Sequence, residues 1–153
     1  MTQPIRILVD ADACPVKEEI YKVAFRLKVP VLIVANSFLR IPDHPLIERV
    51  TVSCDMDAAD DHIAQQSNAG SVVVTADILL ADRCLRADAT VIAPNGKPFT
   101  KNSIGTAVAT RAIMADLRAG GSVIGGAPPF TRSDRSRFLS ALDTALVRLR
   151  MNR

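Results

Sequence analysis

Through the first half of the chain, short apolar runs alternate with stretches of helical spacing. Residues 5–9 form a compact apolar run broken only by Arg6, as a strand buried on both faces requires. Pro15 stands where a first helical turn tolerates proline. Val16, Ile20, Val23, Ala24 and Leu27 then recur at helix spacing. The same pattern predicts strands over 31–34, 50–53, 71–75 and 90–93, and helices over 57–68 and 78–86. Between them, residues 38–45 read as a loop with two prolines.

After Pro94-Asn95-Gly96-Lys97-Pro98 the pattern changes. A helix capped by Asn102 or Ser103 is expected to run to about residue 118 and stop at Gly120-Gly121. A Gly/Pro-rich loop over 123–130 follows, and Ser133 is expected to cap a last helix reaching about residue 150. No repeat or linker interrupts the chain, so residues 1–153 read as a single domain. Strands separated by helices imply βαβ units. The expected fold is α/β, a three-layer domain with a central, mostly parallel five-stranded sheet.

At 153 residues, 48% hydrophobic and 23% charged, the chain carries enough apolar surface for one core, which excludes global disorder. No apolar run approaches the ~20 residues of a membrane span. The first residues lack the apolar segment of a signal peptide, and three unpaired cysteines argue against a disulfide scaffold. A cytoplasmic protein is expected. The net charge of +3 hides an asymmetry: residues 1–90 hold 9 Lys/Arg against 13 Asp/Glu, and residues 91–153 hold 10 against 3. An acidic half beside a basic, Arg-rich half suits a metal site next to a polyanion track.

In a parallel sheet, ligands bind at the edge formed by the C-terminal ends of the strands. Three acidic clusters follow predicted strands. Asp10 and Asp12 come directly after the first, two residues apart, and a single helix cap would need only one of them. Asp55, Asp57, Asp60 and Asp61 follow the third strand. Helix-dipole capping accounts for one or two of these, and Asp57 and Asp60 are the better candidates for chemistry. Asp77 follows the fourth strand and reads equally as a helix cap. Carboxylates without a His–Cys array describe a hard-cation site, Mg²⁺ or Mn²⁺ rather than zinc. Asp10, Asp12 and Asp77 are the expected ligands, with Asp57 and Asp60 beside them.

Five segments, namely Asp10-Ala11-Asp12-Ala13-Cys14-Pro15-Val16-Lys17, Asp57-Ala58-Ala59-Asp60, Thr75-Ala76-Asp77-Ile78-Leu79-Leu80-Ala81, Asn102-Ser103-Ile104 and Gly125-Gly126-Ala127-Pro128, resemble in order the signatures of the YaiI/YqxD family. These are bacterial proteins related in fold to PIN and NYN nuclease domains. The resemblance implies a PIN-like parallel sheet and an acidic site binding Mg²⁺ or Mn²⁺ for RNA cleavage. Thr75 and Asp77 look like the Thr-x-Asp element of PIN domains, and Thr75 and Asn102 are expected to contact the substrate. Two positions depart from the pattern: Ala76 stands where Gln is expected, and Ser103 separates Asn102 from Ile104.

Two other functions fit parts of the pattern. A non-catalytic RNA- or nucleotide-binding module could keep the same acidic residues. Asp-x-Asp after an apolar strand also resembles phospho-aspartate phosphatases, although Cys14 stands where they carry Thr. Cys14 itself reads as a packed, inert thiol. For a nucleic-acid partner, Lys101 and Arg111 are the expected phosphate contacts, with Arg132, Arg135 and Arg137 farther along. Only 4% of the chain is aromatic, which gives little support to base-stacking platforms.

Overall fold

The computed structural model describes residues 3–12, 14–55, 57–119 and 129–152. Eleven elements follow in order: β1 (Arg6–Asp10), α1 (Lys17–Leu27), β2 (Val31–Ala35), β3 (Ile47–Thr51), α2 (Ala58–Gln66), β4 (Ser71–Val74), α3 (Ile78–Arg86), β5 (Thr90–Ile92), β6 (Pro98–Phe99), α4 (Lys101–Ala119) and α5 (Arg132–Met151). They build a three-layer α/β structure on one sheet of order β3-β2-β1-β4-β5-β6. The first five strands in that order are parallel, and β6 pairs antiparallel with β5.

Strand periodicity divides the core between the two faces. Ile7, Val9, Ile33, Val72 and Val74 meet Ile20 and Val23 of α1 and Phe138, Leu142 and Leu146 of α5. Leu8, Leu32, Val34, Val73 and Val91 point the other way, onto Ile63 of α2, Leu80 and Cys84 of α3 and Ile104 of α4. Each buried side chain of this size contributes roughly 1.5–3 kcal/mol by leaving water. Burial on both faces is why the central strands read as unbroken apolar runs. No helix among the described residues is long and apolar enough to cross a membrane.

Four local expectations are corrected. The sheet has a sixth strand, because the chain reverses at Gly96, whose φ of 88° and whose closeness to the Arg137 backbone both require glycine. A Cβ there would stand 2.6 Å from the Arg137 carbonyl carbon. The third strand is Ile47–Thr51 rather than 50–53, an edge strand whose exposed Glu48 and Arg49 disguise it. Thr100, not Asn102 or Ser103, caps α4: its hydroxyl accepts from the Ser103 N–H at 3.1 Å, and Ser103 Oγ accepts from the Thr100 N–H. Thr131, not Ser133, caps α5 through a capping box with Asp134. The expected stop at Gly120-Gly121 and the Gly125–Pro128 motif lie outside the described residues.

Strand order positions the candidate site. From β1 the chain moves outward to β2 and β3, then returns across the opposite face through α2 to place β4 on the other side of β1. The direction reverses between β1 and β4, and in sheets of this kind the ligand crevice lies at the C-terminal ends of such a strand pair.

Candidate functional site

Register brings the first two clusters together. Val9 pairs with Val74, so the next residues, Asp10 at the end of β1 and Thr75 just past β4, stand side by side. Thr75, 1% exposed, donates its hydroxyl to Asp10 Oδ2 at 2.8 Å, and its own Oγ1 accepts the Asp77 N–H at 3.0 Å. One buried hydroxyl therefore fixes both acidic positions. Asp77 is also a true N-cap, with Oδ1 accepting from Leu79 N–H at 2.9 Å and Leu80 N–H at 3.3 Å.

The third cluster arrives from α2. Asp60, in its first turn, is close enough to Asp77 to hydrogen-bond it and to feel the charges of Asp10 and Asp57. Its carboxyl is pushed up to about 6 by burial, then by the charges of Asp77, Asp10 and Asp57, and by a hydrogen bond to Asp77. Asp10 is raised as well, first by burial and then by Asp77 and Asp12, against the opposing hydrogen bond from Thr75. Among the described residues no Lys or Arg forms an ion pair with Asp10, Asp12, Asp57, Asp60 or Asp77. Their neighbours are neutralised instead: Asp61 by Arg83 at 2.9 Å and Asp82 by Arg86 at 3.1 Å.

Asp12 lies at the rim, exposed, where its carboxylate accepts from the Asn36 N–H at 2.9 Å and the Ser37 hydroxyl at 3.3 Å. Asn36 and Ser37, directly after β2, are the residues that sequence reasoning missed. Their signal was position, since they too follow a strand at the same edge. Asp57 is exposed at the N-cap position of α2 and makes no side-chain capping bond. Lys17 closes the β1–α1 loop by donating to the carbonyls of Cys14 at 2.9 Å and Ala11 at 3.3 Å. Cys14 is buried, which pushes its thiol up and keeps it in the unreactive form.

The basic residues divide differently from the expectation. Because β6 runs antiparallel to β5, α4 starts at the N-terminal edge of the sheet, opposite the carboxylates. There Lys101 pairs with Asp88, directly before β5, at 2.8 Å, and Asn102 is exposed beside it. Neither is brought to the crevice. Arg111 is exposed midway along α4. Arg135 lies by the β1–α1 loop, donating to the Pro15 carbonyl at 2.6 Å and pairing with Glu19 at 3.4 Å. Arg137 pairs with Asp134 within α5.

Among the described residues, no three His, Cys, Asp or Glu side chains stand as a preassembled metal-holding group. The donors that line the crevice are carboxylate oxygens, with one hydroxyl behind them. That set matches a hard divalent cation, which keeps several waters and takes few protein ligands, and does not match zinc.

The fold and crevice define an α/β protein with an acidic site at the switch point of its sheet. Residues 8–148 match the family described as "Uncharacterized BCR, YaiI/YqxD family", and the chain belongs to that family. It is 69% identical over 151 residues to a UPF0178 protein of Sphingopyxis alaskensis, covering 98% of this chain and 97% of that one. It is 59% identical to UPF0178 protein bll3966 of Bradyrhizobium diazoefficiens (98% and 90% covered) and to UPF0178 protein RPA2191 of Rhodopseudomonas palustris (97% and 94%). No solved structure matches the chain.

Proposed function

We propose that this protein is a Mg²⁺- or Mn²⁺-dependent nuclease that hydrolyses RNA phosphodiesters at the carboxylate crevice. The observation that carries this reading is the meeting of Asp10, Asp60 and Asp77, from three separate elements, with no cation paired to them among the described residues. Uncompensated like charges at close quarters are costly, and a divalent ion removes that cost. Asp10, Asp12 and Asp77 would hold it. When bound, such an ion acidifies water and neutralises charge on a phosphodiester. Thr75 keeps Asp10 and Asp77 aimed into the crevice, and Asp57 and Asp60 line its far wall. The resemblance of the Thr75-Ala76-Asp77 segment to PIN domains supports the same reaction class.

A second reading is a non-catalytic nucleic-acid-binding module that keeps the same acidic residues. The two separate cleanly. Purified protein should cut RNA in Mn²⁺, leave a small aryl phosphate intact, and lose cleavage on Asp10→Asn. Binding without cleavage under any divalent ion supports the module, and aryl phosphate hydrolysis with a trapped phospho-Asp10 would instead mark a phosphatase.

A further inference from the structure

Beside the acidic rim, the connection from β2 to β3 leaves one large apolar side chain in water. Phe38 is 73% exposed, although its neighbours Leu39 and Ile41 turn inward and pack against the core under α1. The loop therefore buries what it can and leaves this ring out. The Arg49 guanidinium lies 4.1 Å from the ring centroid and is fixed there by donating to the Leu39 carbonyl at 2.9 Å. One ring face is thus backed by a cation, and the other stays open. The two residues before Phe38, Asn36 and Ser37, hold the Asp12 carboxylate, so the ring and the crevice share one short segment. Arg40 and Arg49 are both exposed, and neither forms an ion pair among the described residues.

We infer that Phe38 and Arg49 form a stacking platform for one unpaired nucleobase of a single-stranded nucleic acid, with Arg40 and Arg49 meeting the adjacent phosphates. A flat, exposed ring backed by a guanidinium offers a π-face to any base, and the two arginines supply the positive charge that the carboxylate edge lacks. An apolar protein partner would gain nothing from two unpaired arginines at its centre. This inference rests on the nucleic-acid reading of the crevice and names the part of the strand held beside it.

The test is fluorescence anisotropy with a short labelled oligoadenylate in EDTA, so that no cleavage intervenes. Phe38→Ala should weaken binding by about 5- to 150-fold, the range for losing one base–aromatic stack. Phe38→Trp should hold wild-type affinity, and an oligonucleotide abasic throughout should bind wild type and Phe38→Ala alike. Equal adenylate affinity of wild type and Phe38→Ala would overturn the platform, as would no oligoadenylate binding by wild type at low salt. Phe38-dependent binding with no cleavage in Mn²⁺ would sink the nuclease and leave the platform standing. Cleavage in Mn²⁺ with a Phe38-independent affinity would do the reverse.

Discussion

The acidic edge and the basic C-terminal half look complementary in the sequence, yet the fold treats them in opposite ways. At the edge, Asp10, Asp60 and Asp77 converge, and their burial and mutual repulsion go unrelieved by any paired cation among the described residues. In the C-terminal half four of the bases are held by partners: Lys101 by Asp88, Arg135 by Glu19 and the Pro15 carbonyl, Arg137 by Asp134, and Arg150 by the Leu27 carbonyl. Charge that the fold has already neutralised serves structure. Charge left concentrated and unpaired calls for a ligand.

The largest effect that would break this contrast lies in Asp77, which is both cap and candidate ligand. Asp77→Asn keeps an oxygen for the Leu79 and Leu80 N–H groups while removing the charge. Stability should stay near wild type, and RNA cleavage in Mn²⁺ should fall by more than the roughly 10–100-fold typical of an outer-shell partner. Unfolding curves and initial rates, measured together, separate the two roles.

Thr75→Val comes next. It keeps the shape but leaves the buried side of Asp10 and the Asp77 N–H without their shared partner, at a cost of about 1–3 kcal/mol. Urea titration should show that loss, with cleavage reduced by roughly 10–100-fold as the carboxylates lose their aim.

Much of this arrangement is legible in sequence, for definite reasons. β1, β2 and β4 are buried on both faces and so read as continuous apolar runs, and Asp10 ends β1 while Asp12 and Asp77 lie within three residues of strand ends, which fixes their edge. The polar edge strand β3 and the two-residue β6 carry no comparable period. Lys101 illustrates the consequence. Its position depends on the reversal at Gly96 and on antiparallel pairing with β5, and periodicity specifies neither. The tie from Asn36 and Ser37 to Asp12 is a contact between loops, set by the neighbouring strands rather than by local pattern.

Asp60 sharpens the contrast through pH. Its carboxyl is raised to about 6, so between the unfolded value near 3.8 and 6 the native state binds more protons than the unfolded chain. Its ionisation therefore destabilises the fold as pH rises through that window, and the penalty is complete above it. Asp60→Asn should stabilise the metal-free protein by about 1 kcal/mol at pH 7.5, after allowance for solvent screening, and by nothing below pH 4. Thermal melts across that range read the difference directly. A stabilisation independent of pH would mean that Asp60 does not face its acidic neighbours.

The smallest effect belongs to the opposite edge. Lys101→Ala removes an exposed ion pair far from the crevice and should leave both the melting temperature and RNA cleavage at wild-type values. A clear loss of cleavage would return Lys101 to the substrate track expected from sequence.

The central claim is that the carboxylate crevice holds a divalent cation, and Mn²⁺ titration by calorimetry tests it most directly. Wild-type protein should bind Mn²⁺ with a heat that saturates, and the Asp10→Asn/Asp12→Asn variant, folded by circular dichroism, should show none. Equal Mn²⁺ binding by the two proteins would contradict the account.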